Sequence, residues 1–190
     1  MTDVNNVMGL WRAFRAFAIH QVREGFKPEW TKGCQSLLLF AVLHEPSFAD
    51  VVGWQILQVT CADLPPRYIA QRTLWKQSRD SQLISSPIDR LAILARKYSG
   101  FPLPTMEYAA VAPDTAVIQD MVQRMDNLRL PLAIELDRIG LDGTHYELIA
   151  GRFAANSVLR WWGEAPAEWA EAGAIVMETL RHLEALYKKR

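Results

Sequence analysis

Two adjoining segments near the end of the chain constrain its fold most. Ile139-Gly-Leu-Asp-Gly-Thr-His-Tyr-Glu-Leu148 reads as two strands closed on Asp142-Gly143. Arg160-Trp-Trp-Gly-Glu-Ala-Pro-Ala-Glu-Trp169 then opens a long helix. Upstream, Leu132, Ile134 and Leu136 alternate with Ala133, Glu135 and Asp137, the period of a half-buried strand. Asp-Gly suits a two-residue type I′ turn, because both central positions need positive φ. The pattern predicts a hairpin of strands 134–141 and 144–150, a small-residue loop over 151–156, and a third strand over Val158–Trp162. Strands followed by a helix in this way predict an α+β fold: an antiparallel β-meander packed against helices on one face, with a long C-terminal helix. That helix, roughly 166–188, carries Trp169, Ala172, Val176, Leu180, Leu183 and Tyr187 on one stripe, and Lys188-Lys189-Arg190 complement its dipole.

The rest of the chain is read from period and punctuation. Residues 5–24 fit an amphipathic helix with Val7, Trp11, Phe14, Ala18 and Val22 on one stripe, widened by Leu10 and Phe17. Gly25 stops it, and Lys27-Pro28-Glu29-Trp30 forms a turn. Leu37–Leu43 is a buried strand or a short buried helix, since periodicity does not arbitrate between them. Ser47-Phe-Ala-Asp50 resembles a capping box, yet Val52, Trp54 and Ile56 alternate, and a strand over 54–60 is favoured because Leu64-Pro65-Pro66 ends it. Tyr68–Trp75 is another strand, and Gln77–Ser85 is polar and loop-like. Ser86-Pro87-Ile88-Asp89 starts a helix closed by Gly100, and Thr105–Val111 is a short strand. Asp114 caps a further helix with Ile118, Met121, Val122, Met125 and Leu128 on one side. The expectation is one domain over 1–190, with a helical N-terminal part over 1–30 and the α+β core from about 50 to 190.

Composition narrows the function. Half the residues are hydrophobic, enough for a sizeable core, and the formal net charge is zero. No global field favours nucleic acid or an anionic membrane. Residues 1–100 carry net charge +4 and residues 101–190 carry −4, a polarity that packing the two halves together absorbs. The N-terminus lacks the uninterrupted apolar stretch of a secretory signal, and Leu37–Leu43 is too short to span a bilayer, so a cytoplasmic protein is expected. Cys34 and Cys61 lack metal-site spacing. Two free thiols in a reducing cytosol is the plainer reading, and one Cys34–Cys61 disulfide in a periplasmic protein is the other.

Three of the seven tryptophans fall within 161–169. In a strand Trp161 and Trp162 point to opposite faces, and Trp169 sits in the first turn of the helix. The group is either a clasp joining sheet to helix or a binding surface with Arg160 and Glu164 at its rim. His145 and Glu147 share a strand face, where a carboxylate can orient an imidazole, but no nucleophile motif accompanies them. His20, His44, His145 and His182 lack metal-ligand spacing, and there is neither a G-x-x-x-x-G-K-[ST] nor a G-x-G-x-x-G loop. No catalytic residue, metal or cofactor is assigned.

Leu141-Asp-Gly-Thr-His-Tyr-Glu-Leu148, followed by Leu159-Arg-Trp-Trp-Gly-Glu-Ala-Pro-Ala-Glu-Trp169 and a closing helix, looks like the ending of small uncharacterised bacterial proteins, some of them immunity-like. The resemblance covers residues 139–190 and implies a bacterial, cytosolic, non-enzymatic protein-interaction role that neutralises a toxin or effector by binding. The partner expected is another protein, not nucleic acid or membrane. The expected surface comprises Arg160, Trp161 or Trp162, Glu164 and Trp169, with an acidic strand face of Glu135, Asp137 and Glu147. The alternative is a small-ligand protein or enzyme with an aromatic pocket near Trp161, Trp162 and Trp169, using Tyr146, Glu147 and Arg160 as polar groups. A third is a subunit burying Trp11 or Trp30 against a neighbour.

Overall fold

Cα partners in an antiparallel pair share a sheet face, so strand register decides which side chains meet. The computed structural model describes residues 4–26, 33–85, 103–131, 143–152 and 155–190. Its strands are β1 (Gln35–Pro46), β2 (Val51–Thr60), β3 (Arg67–Trp75), β4 (Met106–Val111), β5 (Thr144–Arg152) and β6 (Ala155–Trp162). Its helices are α1 (Val4–Glu24), α2 (Gln77–Ser85), α3 (Thr115–Asn127) and α4 (Ala170–Lys188), the last entered through a 3-10 turn at Ala167–Trp169. The strands form one antiparallel sheet in the order β4-β3-β2-β1-β5-β6. The α+β class, the antiparallel sheet and the long C-terminal helix are as the sequence predicts.

The helices lie on both faces of the sheet, not one. Phe40, Val42, Trp54, Ile56, Leu74, Leu148 and Trp161 pack beneath α3 and α4, against Ile118, Met121, Ala172, Val176, Leu180 and Leu183. On the opposite face Phe14, Ala18, Ile19 and Val22 of α1 meet Leu43, Val51 and Trp75. Phe17, expected to widen the α1 stripe, is largely outside this core, and Ile19 takes its place. Gly53 sets the crossing: a Cβ there would lie 2.6 Å from Val22 Cγ1. Because β1 is central and covered on both sides, its apolar run is continuous, which is why alternation does not identify it. The sheet thus begins at Gln35, ahead of the boundary expected near residue 50.

Two local expectations are corrected. Gln77–Ser85 is helical although polar, because its anchors are tertiary. Asp50 accepts from the Ser78 backbone N–H at 3.1 Å, and buried Asp80 accepts from Trp75 Nε1 at 2.8 Å and from Thr105 N at 2.9 Å. Strand 144–150 is expected to pair with 134–141, whereas β5 has β1 along one edge and β6 along the other. The hairpin is instead β5–β6, so its loop is much shorter than 151–156. Gly143, with φ 147°, leads into β5, and its carbonyl accepts from Ser47 N at 2.9 Å. Residues 134–141, the helix expected from Ser86 to Gly100, and Trp30 lie outside the described residues.

Cys34 and Cys61 continue the β1–β2 register one step beyond Gln35 and Thr60, and they form a disulfide. The free-thiol reading is corrected, because the register sets their Cα atoms 4.4 Å apart. The cross-link spans 27 residues, for which loop-closure entropy amounts to about 3–4 kcal/mol. A Cys34→Ser/Cys61→Ser variant should therefore lose roughly 3 kcal/mol in urea unfolding. An unchanged midpoint would mean that the β1–β2 ladder alone holds these strand ends together.

Candidate functional site

The sheet face under α1 carries a chain of charges that pattern reading does not anticipate. β5 alternates, so His145, Glu147 and Ile149 point toward the α1 side while Tyr146 and Leu148 point toward α4. Glu147 is fully buried (0% exposed). Arg23, in the last turn of α1, grips it with two nitrogens, Nε at 2.8 Å from Oε2. Arg160, the cross-strand partner of Glu147 on β6, donates from Nε at 2.7 Å to Oε1. Burial alone would push the Glu147 carboxyl up, but the hydrogen bonds from Arg23 and Arg160, with their charges, outweigh it and hold it below the ordinary carboxylate value. Gln55 secures the same helix end by donating to the Arg23 carbonyl at 2.6 Å.

A second carboxylate lies one cross-strand step away. Glu45 of β1 is buried, forms an ion pair with Arg15 of α1, and lies opposite His145, whose Nδ1 is 3.2 Å from its Oε2. His145 therefore does have a carboxylate partner, but it is Glu45 and not Glu147. Among the described residues no hydroxyl or thiol bonds its imidazole. On the α4 side, Glu184 accepts from Trp54 Nε1 at 3.0 Å and from Arg72 Nε at 2.8 Å, and the Arg72 guanidinium sits 4.6 Å above the Tyr187 ring. Burial pushes the neighbouring His44 imidazole below its ordinary value, against the raising effect of Glu184.

The tryptophans divide between the two faces. Trp161 is buried, stacks on Tyr146 with ring centroids 5.8 Å apart, and meets Trp169 edge-on at 6.4 Å. Trp162 lies on the opposite face, partly exposed, beside His145 and over Gly143, where a Cβ would come within 2.7 Å of its Nε1. So Trp161 and Trp169 form a clasp between sheet and helix, while Trp162 and Arg160 face outward. Val158 (42% exposed), Arg160 and Trp162 make one strip along β6, and exposed Glu164 follows just beyond its end. β6 is an edge of the sheet among the described residues. Near the clasp, a cleft of about 440 Å³ is lined by Tyr146, Trp161, Glu164, Ala165, Gly173 and Met177.

The expected acidic strand face is corrected at Glu147, which is buried and neutralised by two arginines and so offers no surface to a partner. Glu135 and Asp137 lie outside the described residues. Arg15, Arg23 and Glu45 went unforeseen. Their one visible signal is that Arg15 and Arg23 stand eight apart beside the apolar stripe of α1, where two arginines share a side. Among the described residues no three His, Cys, Asp or Glu side chains gather as a metal site, and no helix is long and apolar enough to cross a membrane. No family model, curated protein or solved structure matches this chain.

A carboxylate whose folded pKa is depressed contributes stability above its unfolded value, and that stability is lost as pH falls through the folded pKa. Glu147→Gln should therefore lower stability by about 1–3 kcal/mol at pH 7, yet lose less on acidification below about pH 4.3 than the parent does. Urea midpoints measured from pH 7 to pH 3 test this. Parallel acid limbs for the two proteins would show that Glu147 is not held ionised by its arginines.

Proposed function

We propose that this chain is a non-enzymatic bacterial protein-interaction module, acting by occlusion as immunity-like proteins do when they bind a cognate toxin or effector. The observation that carries the reading is the β6 strip. Val158, Arg160 and Trp162 present an apolar side chain, a guanidinium and an indole along one face of an edge strand. Arginine and tryptophan dominate binding hot spots. Arg160 is 56% exposed while its Nε is bonded to Glu147, so its side chain is already ordered and a partner would spend little entropy to engage it. The bacterial setting and the toxin or effector as partner rest on the resemblance of residues 139–190.

A non-catalytic role has separate support. Glu45, Asp80, Glu147 and Glu184 each bond donors within the chain, whereas a general acid or base must reach a substrate proton. The alternative, a small-ligand protein, is favoured by the cleft beside Trp161, whose volume lies in the range of ligand pockets. The expected compartment is the cytoplasm, but the Cys34–Cys61 disulfide supports an oxidising one, since cytosolic reductants keep most such pairs as thiols.

Affinity purification of the tagged chain from its host, paired with Val158→Asp, tests the reading. The substitution adds a charge to the strip and leaves Arg23, Arg160 and Glu147 themselves unchanged, and the unfolding midpoint, measured alongside, should hold. One stoichiometric protein partner, bound at least about tenfold more weakly by the variant, is expected. A partner retained in full by the variant would move the interface elsewhere. Absence of a protein partner, with a metabolite raising the melting temperature, would favour the ligand reading.

A further inference from the structure

β4 is shorter than the strand it pairs with. Its last residue, Val111, lies opposite Ala70, and the chain turns through Ala112 and Pro113 into α3. Arg67, Tyr68 and Ile69 are thus flanked by β2 on one side and, among the described residues, by no strand on the other. The notch is a cleft of about 680 Å³, within the range that holds small organic ligands. Phe26 and Tyr108 line it with ring centroids 5.1 Å apart, and Tyr108 is 49% exposed.

The charge in this notch differs from that of the ion-paired clusters on the two sheet faces. Arg15, Arg23, Arg72, Arg124 and Arg160 each form an ion pair with a carboxylate. Arg67 and Arg190 both line the notch, and no acidic side chain is among the described residues lining it. The Arg190 guanidinium is positioned by donating to the Ala110 carbonyl. Two guanidiniums beside an aromatic pair, with no acidic side chain among the described lining residues, make the lining of this concave site basic.

We propose that this notch binds a small planar organic anion. Its ring lies against Tyr108 and Phe26, and its carboxylate or phosphate meets Arg67 and Arg190. Guanidinium forks match both oxyanions bidentately, and offset aromatic contacts orient a flat ring. The site is remote from β6 and does not depend on the interaction role proposed above.

Calorimetric titration of the full chain with AMP and with indole-3-acetate tests it, with adenosine, indole and inorganic phosphate as partial ligands. At least one of the two anions should saturate with Kd below about 1 mM, and the matching uncharged compound should bind at least about tenfold more weakly. The tighter of the two identifies phosphate or carboxylate as the anion. Arg67→Gln and Tyr108→Ala should each weaken binding by about tenfold or more without shifting the unfolding midpoint. Saturation by neither anion overturns the proposal. So does binding unchanged in Arg67→Gln, or inorganic phosphate binding as tightly as AMP.

Discussion

The burial of Glu147 is the constraint on which the α1 side of the molecule turns. A carboxylate without exposed surface is tolerated only when cations and hydrogen bonds replace its hydration. One of those cations, Arg160, comes from the neighbouring strand, where register delivers it. The other, Arg23, comes from a helix 124 residues away in sequence, so the clamp forms only when α1 lies in one orientation across the sheet. With Arg23 fixed, Val22 seats against Gly53 and Phe14 comes to Trp75. Arg15 of the same helix then reaches Glu45 and leaves His145 paired behind it. Apolar burial drives the helix onto the sheet, and the charged contacts set where along the sheet it stops.

The opposite layer uses the same device with different residues. Glu184 of α4 meets Arg72 of β3 and the indole of Trp54 on β2, while Tyr187 lies under the Arg72 guanidinium. Arg124 of α3 bridges to Glu171 and Glu178 of α4, at the surface, where such pairs contribute little. The charge asymmetry between the two halves of the sequence is thus partly absorbed in folding: Arg23 and Arg72 of the basic half pair with Glu147 and Glu184 of the acidic half.

Where the sequence is legible, the information is local. The α1 stripe and its Gly25 stop, Asp114 capping α3, the short β4 and the apolar stripe of α4 are set by neighbours within a turn or two. Where it misleads, the deciding contact is distant. β1 is apolar on both faces because α1 and α4 come from opposite ends of the chain. α2 is polar but held by Asp50 and by the burial of Asp80. Asp142-Gly143 carries the chemistry of a hairpin turn, yet β1 takes the edge of β5 that such a hairpin needs. At the candidate site, the opposed faces of Trp161 and Trp162 follow from strand alternation alone. The burial of Glu147 does not, since nothing in Tyr-Glu-Leu signals that an arginine from α1 will meet the carboxylate. His145 shows the same limit, with a carboxylate partner supplied by the β1–β5 register and not by its own strand.

A double-mutant cycle between Arg23 and Glu147, read from urea unfolding of the parent, Arg23→Met, Glu147→Leu and the double variant, tests the central claim most directly. If the buried carboxylate is what fixes α1, removing Arg23 leaves Glu147 with Arg160 in place of two cations, removing Glu147 leaves Arg23 without its carboxylate, and the coupling should be about 2–3 kcal/mol. Coupling below about 0.5 kcal/mol would mean that the Arg23–Glu147 contact does not fix α1, and the account of this face would fail.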